Sequence, residues 1–242
     1  MKLLIDAGNT RIKFASLAEG ECLHFGTLDT RLVHRWGEQI TPLQDAVTEV
    51  WVSNVAGADV AREIQTVCQS RAWPVKFIAA QAQQCGVRNG YALPAQLGCD
   101  RWAALIAAWH RCGQSALVVN CGTATTIDAL SGSGEFLGGL ILPGIALMQK
   151  SLVSNTAQLQ HETGQYAAFP TQSADAIVSG ALQATCGAIE RQYALLGNTR
   201  APVLLSGGAA KMVRELLKLP AISMEDLVLQ GLKIMAQEAD TV

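Results

Sequence analysis

The chain has 242 residues, half of them hydrophobic and 16% charged. That is enough apolar material for one large domain or two modest ones, and it excludes extensive disorder. Eighteen Lys and Arg against 20 Asp and Glu leave a net charge of −2 with no basic block, which argues against a nucleic-acid surface.

No apolar run reaches the roughly 18 residues that a membrane helix needs. The N-terminus passes from Lys2 directly to Asp6, which does not fit a secretory signal. The seven cysteines are scattered and form no Cys-x-x-Cys pair. They suit a reducing cytoplasm and buried packing better than a disulfide framework or a zinc site.

In chain order, "LLIDAGNTRIKFASL" reads as strand, turn, strand, with a polar tip between apolar arms. A short buried strand is expected at Val50 to Ser53, then an amphipathic helix closed before Pro74, then a strand at "VKFIAA". Residues 81 to 97 lack clean periodicity and read as a loop. "CDRWAALIAAWHRCG" follows as a helix with Asp100 in its first turn, an apolar face of Trp102, Leu105, Ile106 and Trp109, and Gly113 as its C-cap.

"SALVVNCGTATTIDAL" is a second strand–turn–strand. A glycine-rich strand then runs through Pro143-Gly144 into a helix, followed by a polar loop around 154–172. The chain ends with a long helix, a strand with a Gly-Gly turn and a helix, and a closing helix. Strands alternating with helices indicate α/β architecture.

The two strand–turn–strands echo one another. Leu4-Ile5-Asp6-Ala7-Gly8-Asn9-Thr10 and Val118-Val119-Asn120-Cys121-Gly122-Thr123-Ala124 both carry an apolar strand into a glycine turn with polar side chains. Their separation is close to half the chain, which suggests two similar domains, 1–113 and 114–242. A glycine at such a tip lets backbone N–H groups approach an anion, and Asn9, Thr10, Thr123 and Thr125 can add donors. Asp6 can hold a Mg²⁺ ion, which needs few carboxylates. Tight hairpins capped by Asp6 and Asn120 are the alternative. There is no Gly-x-x-x-x-Gly-Lys-Ser/Thr and no Gly-x-Gly-x-x-Gly opening the first helix, which disfavours P-loop and dinucleotide-binding folds.

Five segments in order, "DAGNTRIK" (6–13), "GCDRW" (98–102), "NCGTATTIDA" (120–129), "GGLILPG" (138–144) and "LLSGGAA" (204–210), resemble type III pantothenate kinases. These belong to the acetate and sugar kinase/Hsp70/actin superfamily. The resemblance implies two RNase H-like, actin-like ATPase domains with a central nucleotide cleft. It implies ATP-dependent phosphorylation of pantothenate to 4′-phosphopantothenate, the first step of coenzyme A synthesis, by a cytoplasmic homodimer without nucleic-acid or membrane partners. Residue by residue, it assigns Asp6, Ala7, Gly8, Asn9, Thr10, Arg11, Ile12, Lys13 and Thr123 to ATP, with Asp6 also toward Mg²⁺. Tyr91, Gly98, Cys99, Asp100, Arg101 and Ser173 go to pantothenate, with Asp100 as the catalytic base. "LLSGGAA" looks like the loop around the adenosine. Ser173 stands where the family usually has threonine. Asn120 stands where the family commonly has an aspartate associated with a monovalent cation, K⁺ or NH₄⁺, so a weakened or lost cation site is expected.

On position alone, Asp100 could equally be a first-turn carboxylate, and Arg101 a surface ion-pair partner. Trp102 and Trp109 could serve packing or an interface. His24, His34, His110 and His161 show no metal-ligand spacing. Three other functions are compatible with parts of the pattern: a regulatory accessory factor, a sugar or acetate kinase, and an actin-like nucleotide-binding scaffold.

Overall fold

The computed structural model describes residues 1–155 and 163–241. It divides into two units, one formed by Met1–Arg111 with Asp226–Val242 and the other by Cys112–Glu225.

The first unit is built on β1 (Lys2–Ala7), β2 (Arg11–Ala18), β3 (Glu21–Asp29), β4 (Glu49–Asn54) and β5 (Val75–Phe77), in the order β3-β2-β1-β4-β5. β1 pairs antiparallel with β2, placing Asp6 opposite Lys13 and Ala7 opposite Ile12. On its other edge it pairs parallel with β4, with Asp6 level with Ser53. Leu3, Ile5, Ala7, Ile12 and Phe14 point to one face and join Trp36 and Ile64 in a core. Trp36 begins the single-turn α1 (Trp36–Gln39), and Ile64 lies on α2 (Ala58–Ser70). α2 buries Val60, Ile64 and Cys68, one residue per turn, as its spacing predicts.

Residues 81 to 97 are more ordered than their composition suggests. A small antiparallel hairpin joins β6 (Gln83–Gln84) to β7 (Val87–Asn89). Its turn is Cys85-Gly86, both with positive φ, a mirror-image turn usually announced by Asn-Gly or Asp-Gly. The Asn89 side chain donates to the Pro94 carbonyl and accepts from the Tyr91 N–H, which fixes the following loop.

α3 (Cys99–Cys112) is buried on every side from Arg101 to Ala108 rather than along one stripe. Trp102 is fully buried, with its indole N–H donated to Gln84. The half-buried Trp109 sits where a Cβ on Gly86 would fall. Both indoles are thus packed inside this unit.

The second unit repeats the plan with β8 (Ala116–Cys121), β9 (Ala124–Leu130), β10 (Glu135–Pro143), α4 (Ile145–Asn155), α5 (Ser173–Leu196), β11 (Val203–Ser206), α6 (Ala210–Leu216) and β12 (Ala221–Ser223). Reading β10-β9-β8-β11-β12 gives the same order as β3-β2-β1-β4-β5, with three antiparallel strands and then two parallel ones. The echo seen in the sequence is therefore an echo of topology. Its core gathers Leu117, Val119, Ile127, Leu182, Ile189 and Leu205. Part of the expected polar loop, with His161, lies outside the described residues.

The chain closes with α7 (Leu227–Glu238), which carries a buried face of Leu227, Leu229, Leu232 and Met235. The sequence reading runs its second domain to 242, whereas α7 packs with the first unit. A Cβ on Gly231 would run into the Ala103 carbonyl of α3, so the two helix backbones meet directly.

Candidate active site

The tip of the first hairpin is built by its own backbone and one neighbour. The Gly8 N–H donates to the Arg11 carbonyl at 3.0 Å, the Thr30 hydroxyl donates to the Gly8 carbonyl at 2.7 Å, and the Thr30 N–H donates to the Thr10 carbonyl at 3.0 Å. Thr30 is buried and was not singled out in the sequence, where nothing distinguishes it from any strand-end threonine. Asn9, Thr10 and Arg11 are exposed. Ala7 and Ile12 are fully buried in the core, so only their backbones can face a ligand at this tip.

Asp6 lies half-buried at the end of β1. Burial pushes its carboxyl up to about 7; Lys13 opposes that rise, while the charges of Asp100 and Asp226 add to it. Lys13 does not spend its ammonium on Asp6. Its Nζ lies 2.6 Å from Oδ1 of Asp226, the residue before α7. His24 Nδ1 approaches the other oxygen of Asp226 at 3.3 Å, and His24 Nε2 lies 3.2 Å from the Thr27 hydroxyl. Asp226 is a contact of this hairpin that the sequence reading missed, because its partners on β2 and β3 are some two hundred residues away.

Asp100 sits in the first turn of α3 and folds back to accept the Arg101 N–H at 2.8 Å. Burial raises its carboxyl above the usual range, against the opposing pull of that N–H and of the Arg101 charge. Beside it, the Cys99 thiol meets the Ser53 hydroxyl and the Asn54 carbonyl, both at 3.4 Å. Burial raises this thiol, so it stays protonated and unreactive at neutral pH. Arg101 is buried, donates to the Tyr91 hydroxyl at 3.2 Å and lies 5.9 Å from the Tyr91 ring centre. That is not the surface ion pair its position alone allowed.

In the second unit three of the motifs meet at one place. Asn120 is the penultimate residue of β8, half-buried, and Thr123 stands exposed in the following turn, where the Gly122 N–H donates to the Ala124 carbonyl at 3.1 Å. Gly144 of "LPG" presses on this turn so closely that a Cβ would collide with the Gly122 and Thr123 carbonyls, and its N–H donates to Thr123 at 2.9 Å. Gly207 of "SGG", at φ +95°, packs the same way: a Cβ there would lie 2.6 Å from the Cys121 carbonyl and 2.7 Å from Oδ1 of Asn120. Gly122 differs. A Cβ there would find only ordinary contacts, 3.5 Å from the Ala124 carbonyl and 3.9 Å from Asn120 Oδ1, and its backbone is not left-handed. Nothing in the fold demands glycine at 122, and its lack of a side chain leaves the turn's backbone open to approach by a ligand.

Thr125 is fully buried, which withdraws it from the donors expected at this turn. Ser173 is exposed at the first position of α5. Among the described residues, no group of three or more His, Cys, Asp or Glu side chains could enclose a metal ion.

The twofold strand plan is that of the actin-like ATPase fold. Solved structures agree on that fold. A ROK family protein from Streptococcus pneumoniae in complex with sucrose matches with a TM-score of 0.50, 15% identity, and coverage of 100% of this chain and 99% of that one. A conserved Campylobacter jejuni protein described as a Baf family transcriptional activator matches with a TM-score of 0.65 at 23% identity, over 99% of this chain and 100% of that one.

Sequence comparison is more specific. The family model of type III pantothenate kinase matches residues 2–195. A type III pantothenate kinase of Aromatoleum aromaticum is 46% identical over 98% of each chain, and one of Nitrosospira multiformis is 45% identical over 98% of this chain and 91% of that one. The chain belongs to the type III pantothenate kinase family.

Proposed function

We propose that this protein transfers the γ-phosphoryl group of ATP to the 4′-hydroxyl of pantothenate, opening coenzyme A synthesis. Family membership supports the reaction. The observation that carries the residue-level reading is the electrostatic coupling of Asp6, on the phosphate-type hairpin, to Asp100 of the Gly-x-Asp-Arg segment. The nucleotide-side carboxylate thus feels the charge of the acceptor-side one.

In this reading the exposed tip, Asn9, Thr10 and Arg11, presents donors to phosphate oxygens, and the family pattern assigns Thr123 to ATP as well. Asp6 fits a Mg²⁺ ion that brings its own water and phosphate ligands, because such an ion needs few protein carboxylates and no closed carboxylate cage exists among the described residues. When bound, that ion neutralises charge on the β- and γ-phosphates.

Asp100 orients the pantothenate hydroxyl and accepts its proton late, since phosphoryl transfer passes through a loose transition state with little need for early deprotonation. The buried Arg101, braced by Tyr91, is suited to a carboxylate, which its planar fork can bind bidentately. Gly98, Cys99 and Ser173 complete the pantothenate side. Asn120 offers a monovalent cation a carbonyl oxygen without negative charge, so its hold on K⁺ or NH₄⁺ is weak. Exposed Leu137 and Ile141 on β10 and, separately, exposed Leu147 on α4 are apolar surface that a homodimer would bury. A cytoplasmic location is part of the same reading.

The test is identification of the product. Incubation with Mg²⁺, ATP and pantothenate should yield a species one phosphoryl group heavier than pantothenate, with the phosphate on the primary 4′-alcohol by ³¹P–¹H correlation. Absence of that species from a folded, ATP-binding preparation would refute the assignment.

A further inference from the structure

Asp226 has given up what an aspartate before a helix normally does. At the N-cap of α7 its carboxylate should accept an N–H of the first turn. Instead it makes no such bond, and its backbone is left-handed, at φ 49° and ψ 44°. A non-glycine residue in that region is held there by its surroundings at a cost of about 1–2 kcal/mol. Its side chain is turned to the sheet, with one oxygen 2.6 Å from Lys13 Nζ and the other 3.3 Å from His24 Nδ1. The pair is partly buried, with the Lys13 and Asp226 side chains 30% and 22% exposed, so solvent screens it less than a surface ion pair.

Lys13 has another carboxylate within its reach. It is the hairpin partner of Asp6 and depresses that carboxyl electrostatically. One flexible ammonium therefore serves two carboxylates and lies on the distal one. If it moved to Asp6, it would occupy the oxygens that face a metal–nucleotide.

We propose that Asp226 is a positioning residue for phosphoryl transfer: it holds the Lys13 ammonium off Asp6, which keeps Asp6 open to the metal–nucleotide and Lys13 aimed beside it. This role rests on the nucleotide reading of the first hairpin. It concerns affinity for the nucleotide and leaves the acceptor side untouched.

The test is a double-mutant cycle in the full-length enzyme, read as separate KM values for MgATP and pantothenate. Asp226→Asn is the primary variant, because asparagine tolerates left-handed backbone and removes only the charge. It should raise KM for MgATP about tenfold, the scale of a lost charge-assisted bond, with KM for pantothenate within about twofold. Asp226→Glu should recover most of the loss. In a Lys13→Met background, Asp226→Asn should add nothing further, because its effect runs through Lys13. An unchanged KM for MgATP in folded Asp226→Asn overturns the proposal. So does an equal rise in both KM values, or a full additive effect on Lys13→Met. If Asp6→Asn and Lys13→Met also leave KM for MgATP unchanged, the nucleotide reading of the hairpin has failed, and the proposal with it.

Discussion

Asp6 and Lys13 face one another across the first hairpin as antiparallel partners, yet the Lys13 ammonium is bonded to Asp226. Lys13 still pulls the Asp6 carboxyl down through space, but burial outweighs that pull and the carboxyl rises to about 7. A group in that condition gains most from an arriving cation, and the predictions below start from it.

Asp6 makes the ligand-free protein sensitive to pH. Unfolded, its carboxyl titrates near 3.8; folded, near 7. Between those values the folded state holds a proton that the unfolded chain has lost, so the Asp6 contribution to stability declines as pH rises from about 4 to about 7, then levels off. Asp6→Asn removes that slope. Without nucleotide, the melting temperature of the variant relative to wild type should be higher at pH 8 than at pH 5. An identical difference at both pH values would contradict the burial of this charge. The same variant should bind MgATP more weakly.

Asp100→Asn should lower kcat by about 10²- to 10⁴-fold, the usual contribution of a general base, with MgATP binding nearly intact by calorimetry. Because burial raises the Asp100 carboxyl, the acid limb of kcat against pH should lie above the ordinary carboxylate range. Near-wild-type turnover in this variant would remove Asp100 from the role.

Asn120 predicts weak dependence on monovalent cations. Asn120→Asp restores a negative charge beside the Gly207 backbone and should lower the K⁺ concentration for half-maximal activation. Strict, high-affinity K⁺ dependence in the wild type would contradict the assignment.

The hairpins were legible because their chemistry is local. An apolar strand, a polar glycine turn and a second apolar strand show within fifteen residues, and the register placing Asp6 opposite Lys13 follows from the turn. The Gly-x-Asp-Arg segment was legible as a candidate site only through resemblance, since Asp100 alone reads as a first-turn carboxylate. Three things were not readable. The β6–β7 hairpin turns on Cys85-Gly86, which carries none of the usual signal. α7 packs with the first unit, which no periodicity announces. Asp226 and Thr30 act through partners that only the folded sheet brings near. The sequence spacing also suggested Thr125 as a phosphate donor, but alternation along β9 turns it into the core.

The α3–α7 packing gives a test of stability apart from the site. Gly231→Ala forces a Cβ against the Ala103 carbonyl and should destabilise by about 1–3 kcal/mol in urea unfolding. Gly180→Ala on α5, where a Cβ meets nothing within 4 Å, should instead stabilise by up to about 1 kcal/mol through helix propensity. The reverse order would contradict the helix–helix contact.

The most direct test of the central claim is coupled ADP release by the purified enzyme with MgATP and one acceptor at a time. Pantothenate should drive release, while acetate, glucose and buffer alone should stay at background. Release driven by acetate or glucose, or nucleotide binding with no acceptor-dependent release, would contradict it.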